Sequence, residues 1–280
     1  MSGPGGSDKV DVIGHIIDGN ILEYFSFFTG NVEKLHLPQF RNFDLSIGHS
    51  TITIPLKLFS ITRHVVFMWV AAFLLILIFV LLYPKRSLIP RGFQALFEPI
   101  LLFLRDEIVR PVMGKEGDEF LPYLWTLFMF IWACNLLGLV PMGATATANI
   151  SVTASLAFCT FCMIHGSGIK KFGFVAYAKS IVPPVPWFVL PLMIVVEVMG
   201  LLVKPIALTI RLAANMVAGH AVLLSIMGFI FIFKSWFLSI GVVFAAMAIC
   251  LLELIVAVVQ AYIFTFLSTV FIGMAINPEH

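Results

Sequence analysis

Four ionisable side chains interrupt one long apolar stretch of this 280-residue chain: Glu197, Lys204, Arg211 and His220. A fifth, Glu253, is the only acid between Trp236 and Pro278. Their chemistry is complementary. Arg211 cannot be neutralised, because a guanidinium keeps its proton to pH values above ~12. His and Glu exchange protons near neutral pH when their surroundings shift them. A permanent cation beside titratable groups is what a proton path with a barrier requires, since protons hop along His and Glu while the fixed charge opposes direct passage. A lone carboxylate in an apolar setting finds a partner or takes up a proton, and His220 is the natural partner for Glu253.

Spacing sorts these groups by face. Glu197, Lys204 and Arg211 are each seven residues apart, nearly two helical turns, so they share a stripe that Asn215 joins four residues later. His220 is nine residues beyond Arg211, about half a turn around. On a regular helix the two point in opposite directions, one toward a partner surface and one toward an internal cavity. Glu253 and Gln260 are also seven apart and share a face. Plainer readings stand beside these. Arg211 could pair with Glu197 or Glu253 as a structural ion pair, and His220 and Glu253 could be a simple interhelical hydrogen bond. Glu197 could pair with Lys204, although about 10 Å of helix separates them. Lys204 reads as structural or snorkelling, with Pro205 beside it set to kink the helix. Asn215 and Gln260 could be interhelical glue, and Asn135 reads as satisfying backbone near Gly138.

The elements that hold these groups must lie in a bilayer. The chain is 60% hydrophobic and 11% charged, with 28 Phe and a mean hydropathy of +1.04, whereas soluble domains are about 25% charged. A net charge of only +2 gives nucleic-acid binding no electrostatic footing. An ionised group at the centre of a hydrocarbon layer costs at least ~2.5–3.5 kcal/mol, so the charged residues must face protein or a water-filled cavity. Residues 1–63 read as a polar extramembrane region with a short helix over 13–28 and no cleavable address. Residues 64–280 read as the membrane domain. Val65 to Tyr83 is a first span, Leu121 to Val140 a second, and Ala148 to Ile164 a third with a polar face. The mixed run over 91–119 suits an amphipathic helix on the membrane surface, and residues 165–186 read as a basic loop. Trp187 to Phe233 and Trp236 to Ile276 are too long to cross upright, which predicts two tilted helices in a hairpin turning at Lys234-Ser235. The expected fold is therefore all-α and polytopic, with about five membrane-embedded helices, the hairpin over 187–276 and a surface helix.

Basic residues follow the first span (Lys85, Arg86, Arg91, Arg105, Arg110, Lys115) and the third (Lys170, Lys171, Lys179). The excess of positive charge on inner loops then places the N-terminus outside and the C-terminus inside. No ligand spacing for a metal is evident among His15, His36, His49 and His64. Cys159 and Cys162 have redox-type spacing but no His or acidic flank, and read as packing groups. No Walker A sequence is present, so nucleotide chemistry is not expected in this chain, nor is a cofactor.

The stretch KPIALTIRLAANMVAGH, with LLELIVAVVQAYIF downstream and NLLGLVP upstream, resembles subunit a of F-type ATP synthases. The resemblance runs from about Val65 to Ile276 and peaks over Leu190 to Phe266. It implies a non-catalytic, proton-translocating stator subunit with two offset half-channels. The partners it implies are a rotating c-ring, peripheral-stalk b subunits and the rest of the complex. Arg211 looks like the essential arginine facing the ring carboxylates, and Gln260 like its polar neighbour. His220 and Glu253 resemble the relay pair of the outer half-channel, Glu197 the acid of the inner one, and Asn215 a lining residue. Two departures are visible: Ala213-Ala214 replaces the Phe-Gly common in bacterial relatives, and the order His220 then Glu253 resembles mitochondrial members and some bacteria. The expected location is a bacterial inner membrane, with the mitochondrial inner membrane as the alternative. The conducted ion reads as H⁺ rather than Na⁺ because of the His–Glu pair. A stand-alone transporter binding an anionic substrate at Arg211 is the competing reading. It would need a midplane pocket and preferably internal repeats, and none is evident in the sequence.

Overall fold

The computed structural model describes residues 21–25, 32–36, 43–47, 50–54, 62–81, 93–139, 145–181, 189–233 and 236–277. Five helices among them are long and apolar enough to cross a membrane: α1 (Arg63–Leu81), α4 (Leu121–Gly138), α5 (Ile150–Phe172), α7 (Leu190–Phe233) and α8 (Trp236–Ile276). Between α1 and α4 lie α2 (Phe93–Phe103), a π-helical turn (Leu104–Val109), the short α3 (Arg110–Met113) and a 3₁₀ turn (Gly114–Glu119). A 3₁₀ turn (Ala146–Ala148) precedes α5, and α6 (Phe174–Ile181) follows it. The membrane-embedded body is thus all-α, as the composition requires, because only internally hydrogen-bonded backbone is tolerated in lipid.

Two expectations change. The proposed helix over 13–28 is not formed where it can be seen: β1 (Ile21–Phe25) pairs antiparallel with β2 (Val32–His36), and β3 (Phe43–Ile47) with β4 (Ser50–Ile54). Ile21, Tyr24 and Phe25, and later Thr51 to Ile54, are β-branched or aromatic, types that suit a pleated strand. The remainder of 13–28 lies outside the described residues. The expected basic loop over 165–186 is also helical up to Ile181, broken only at Gly173, whose φ of 80° ends α5. Lys170 and Lys171 occupy the last turn of α5, where cations complement the C-terminal end of the helix dipole.

The mixed run over 93–119 buries Leu104, Ile108, Val109 and Met113 and turns Asp106 and Arg110 outward. Arg110 bridges Asp106 and Asp118, at 3.2 Å to each. The hydrogen bond from Arg105 holds the Asp106 carboxyl below its ordinary range. Lys170 pairs with Glu119, and Lys171 with Glu116 at 2.5 Å. These pairs tie the end of α5 to the segment before α4, at the end of the bundle that the sequence assigns to the inner side.

The core gathers Leu104, Ile108, Phe128, Ile131, Leu212 and Phe264. It therefore joins the π-helical turn, α4, α7 and α8. At ~1.5 Å per residue, α7 (44 residues) and α8 (41 residues) reach about 65 and 60 Å. Both bounds match the apolar runs except that residues 187 and 188, and the turn at 234–235, lie outside the described residues. α7 continues unbroken through Pro205.

Candidate functional site

α7 positions its charged residues by turning two different faces. Leu208, Leu212 and Met216 are buried, while Ile206, Ile210 and Arg211 are exposed. Among the described residues, no other part of the chain covers the apolar surface on which Arg211 stands. Its stripe-mates do not all follow it outward. Lys204 is half-buried, its ammonium 5.1 Å from the Phe271 ring centroid of α8, a cation–π placement. Asn215 is half-buried and donates a long hydrogen bond, 3.4 Å, to Gln260 Oε1. The stripe read from sequence thus runs along the edge where α7 meets α8, with Arg211 on the open side of that edge. A seven-residue step drifts about 20° around a 3.6-residue helix, which is how one stripe comes to straddle two surroundings.

α8 supplies the buried half. Glu253 and Gln260 are 7% and 5% exposed, two turns apart on the face packed into the bundle. Gly219 of α7 lies directly against the Glu253 carboxyl: a Cβ at that position would run into Oε1. The side chains of His220 and Glu197 lie outside the described residues. The helix bearing His220 is nonetheless in contact with Glu253 one residue earlier, at Gly219.

α4 and the 3₁₀ turn close the site from behind. Asn135, wholly buried, donates from Nδ2 to the carbonyl of Ala257, one turn beyond Glu253, at 3.3 Å. Thr147, also wholly buried, donates to Asn135 Oδ1 at 2.6 Å. Asn135 thus serves α8 rather than the backbone near Gly138. Gly138 has a separate use, since Thr145 packs where its Cβ would be. His64 Nδ1 hydrogen-bonds the Thr145 carbonyl at 2.9 Å, so the first turn of α1 is joined to the same polar turn. A seam of buried polar groups therefore runs from His64 through Thr145, Thr147 and Asn135 to α8, beside Glu253 and Gln260.

Sequence reasoning missed Gly219, Thr147, His165 and Tyr177. A signal existed for Gly219, which directly precedes the selected His220, but none pointed to its partner. Thr147 falls between the second and third spans, and His165 and Tyr177 within the stretch that reads as a loop. Among the described residues no three His, Cys, Asp or Glu side chains converge as metal ligands would.

The arrangement keeps a permanent cation at an open apolar face of α7 and a buried carboxyl and amide, Glu253 and Gln260, on the neighbouring α8. It can stabilise an anion presented from outside the chain while handling protons within. The sequence pattern described as ATP synthase A chain matches residues 65–273. A relative named ATP synthase subunit a from Chloroherpeton thalassium is 41% identical, covering 97% of this chain and 78% of its own. Relatives of the same name from Anaeromyxobacter dehalogenans (42% identical, 92% and 68% covered) and Myxococcus xanthus (45%, 79% and 74%) match as well. A match across three quarters of the chain, one that includes Arg211, Glu253 and Gln260, shows that this membrane protein belongs to the ATP synthase A chain family.

Proposed function

We propose that the chain is the proton-translocating stator subunit of an F-type ATP synthase, forming two offset half-channels against a rotating c-ring. The observation that carries this reading is the exposed Arg211 on an apolar face, one helix away from the buried Glu253 and Gln260. A proton entering from the outer side passes His220 and Glu253 and neutralises a ring carboxylate. The neutral carboxyl then travels through lipid. It releases its proton toward the inner side near Glu197, and the resulting anion meets Arg211. The guanidinium separates the two paths because it favours the ionised carboxylate and repels protons. Asn215 and Gln260 orient the water and the carboxylate around it. The driving energy is the membrane field, ~2.3 kcal/mol per charge per 100 mV.

Residues 1–63 form the outer N-terminal region in this reading, and 64–280 the membrane domain. The ring docks on the exposed face of the hairpin, and peripheral-stalk b subunits hold the chain in place. The bacterial names of the relatives support a bacterial inner membrane. Lys170 and Lys171 at the end of α5, with Arg105, Arg110 and Lys115 in the 93–119 segment, support an inner C-terminus.

The test is ATP-driven proton pumping in inverted vesicles, wild type against Arg211→Ala at equal assembled complex. Pumping should vanish while the complex stays intact. Undiminished pumping would make Arg211 structural and the reading wrong at its centre.

A further inference from the structure

One titratable group that the mechanism above does not use sits at the inner end of the bundle. His165 of α5 is half-buried, about 7 Å along the helix from Lys170 at ~1.5 Å per residue. Its Nδ1 lies 2.9 Å from the Tyr177 hydroxyl of α6. The Phe161 ring packs across it with centroids 4.2 Å apart. Its Nε2 is buried with no hydrogen-bond partner among the described residues. Buried ring nitrogens are normally satisfied, so this one marks either strain or exchange.

The surroundings favour exchange. Tyr177 is held in place because its ring fills the space over Gly168, where no Cβ stands. Burial pushes its hydroxyl above the ordinary range, so it keeps its proton. Lys204 of α7 is close enough for its charge to act on His165, and it stands about 10 Å inward of Arg211, on the stripe that continues to Glu197. α8 presents apolar groups at this level, Phe271, Ile272, Ala275 and Ile276, and has no titratable residue beyond Tyr262. Tyr123 of α4 is engaged with Thr160, at 2.8 Å. Lys170 and Lys171 are paired with Glu119 and Glu116. Tyr177 is thus bonded to His165 and Lys204 acts on it through charge, with the free thiol of Cys162 one turn back on the same helix.

We propose that His165 is a proton-handling residue of the inner half-channel, a role that rests on the stator reading above. In the neutral ring Nδ1–H donates to the Tyr177 oxygen, which leaves the Nε2 lone pair open. A proton leaving the ring carboxylate is taken up at Nε2, giving an imidazolium, and the same proton is then released from Nε2 to the inner water. Tyr177 fixes the tautomer and the ring plane and does not itself exchange. Lys204 shortens the life of the imidazolium by repelling it, which speeds release.

The experiment uses the assembled complex in vesicles. Pumping and proton-driven synthesis are followed while the inner-face pH is varied and the outer-face pH held. Wild type, His165→Phe, His165→Gln and Tyr177→Phe are compared. His165→Phe and His165→Gln should flatten the dependence on inner-face pH and cut the rate about tenfold. That is less than the ~10²–10⁴ of a positioned acid–base group, because water offers a parallel route. Dependence on outer-face pH should not move. Tyr177→Phe should keep the inner-face profile at a reduced rate. If both His165 variants keep the wild-type inner-face profile, or if Tyr177→Phe reproduces their loss, His165 only braces α6 and the proposal falls. Arg211→Ala run alongside separates the two claims, since its pumping undiminished would sink the stator reading whatever His165 does.

Discussion

The two halves of this membrane body meet lipid and protein differently. α4 buries 56% of its span inside the chain, while the spanning stretches of α7 and α8 bury 13% and 17%. All are apolar enough to cross, so hydrophobicity does not separate them; what differs is who supplies the neighbours. α4 is surrounded by its own chain and carries its one buried amide, Asn135, to a backbone carbonyl. The hairpin leaves an apolar face open and sets Arg211 upon it. A charge is tolerable in a membrane only with a polar or ionic counterpart, and on the stator reading the carboxylates of the passing ring supply it. The interior is built for permanence and the outer face for encounter.

The contrast can be broken at its exposed end first. Arg211→Ala should abolish coupled synthesis, a loss of at least about 10²-fold as for other positioned charges. Arg211→Lys should recover little, since an ammonium does not reproduce the planar fork. Both are measured as proton-driven ATP synthesis per assembled complex. Next is the buried carboxyl: Glu253→Gln should slow proton delivery by about tenfold or more and leave assembly intact.

A third change tests the close approach between the helices. Gly219→Ala should displace the Glu253 carboxyl, with an overpacking cost of typically ~1–3 kcal/mol. Pairing it with Glu253→Asp, which shortens the acid, should restore thermal stability in part, because the two changes share one contact. If the double variant is no better than the sum of the singles, Gly219 does not set the position of that carboxyl. Weaker still, Asn135→Leu leaves the Thr147 hydroxyl buried without its acceptor and should cost about 1–3 kcal/mol in the unfolding of the complex. Lys170→Ala, at a pair that is 72% and 64% exposed, should change stability by less than measurement error.

These effects show which parts of the molecule were legible beforehand. Long, predominantly apolar runs on either side of Lys234-Ser235 set the ends of the long helices, because only a membrane-embedded helix accommodates some forty residues so rarely charged. Seven-residue spacing placed Glu253 and Gln260 on one face, and both are buried together. The same rule was too coarse for Lys204, Arg211 and Asn215, whose surroundings depend on where α8 lies. Contacts between distant segments left no trace. Asn135 and Ala257 are 122 residues apart, and no periodicity announces such a bond. His165 and Tyr177 were hidden for the opposite reason. The stretch around them is polar enough to pass for a loop, yet Lys170 and Lys171 stabilise the helix end they would seem to break. The N-terminal hairpins were missed because short strands lack the length that makes a helix stand out.

The length of α7 and α8 carries one more consequence. A helix of about 60 Å cannot stand upright in a ~30 Å hydrocarbon layer, so it must lean. Groups near opposite ends of a leaning helix are displaced sideways as well as in depth. On the stator reading, the place where a proton boards the ring and the place where it alights are therefore offset along the rim, on either side of Arg211. Which way the hairpin leans then decides which way around is the long journey through lipid and which the short one barred by the guanidinium. The handedness of that slope would set whether the rotor turns clockwise or anticlockwise for a given direction of flow.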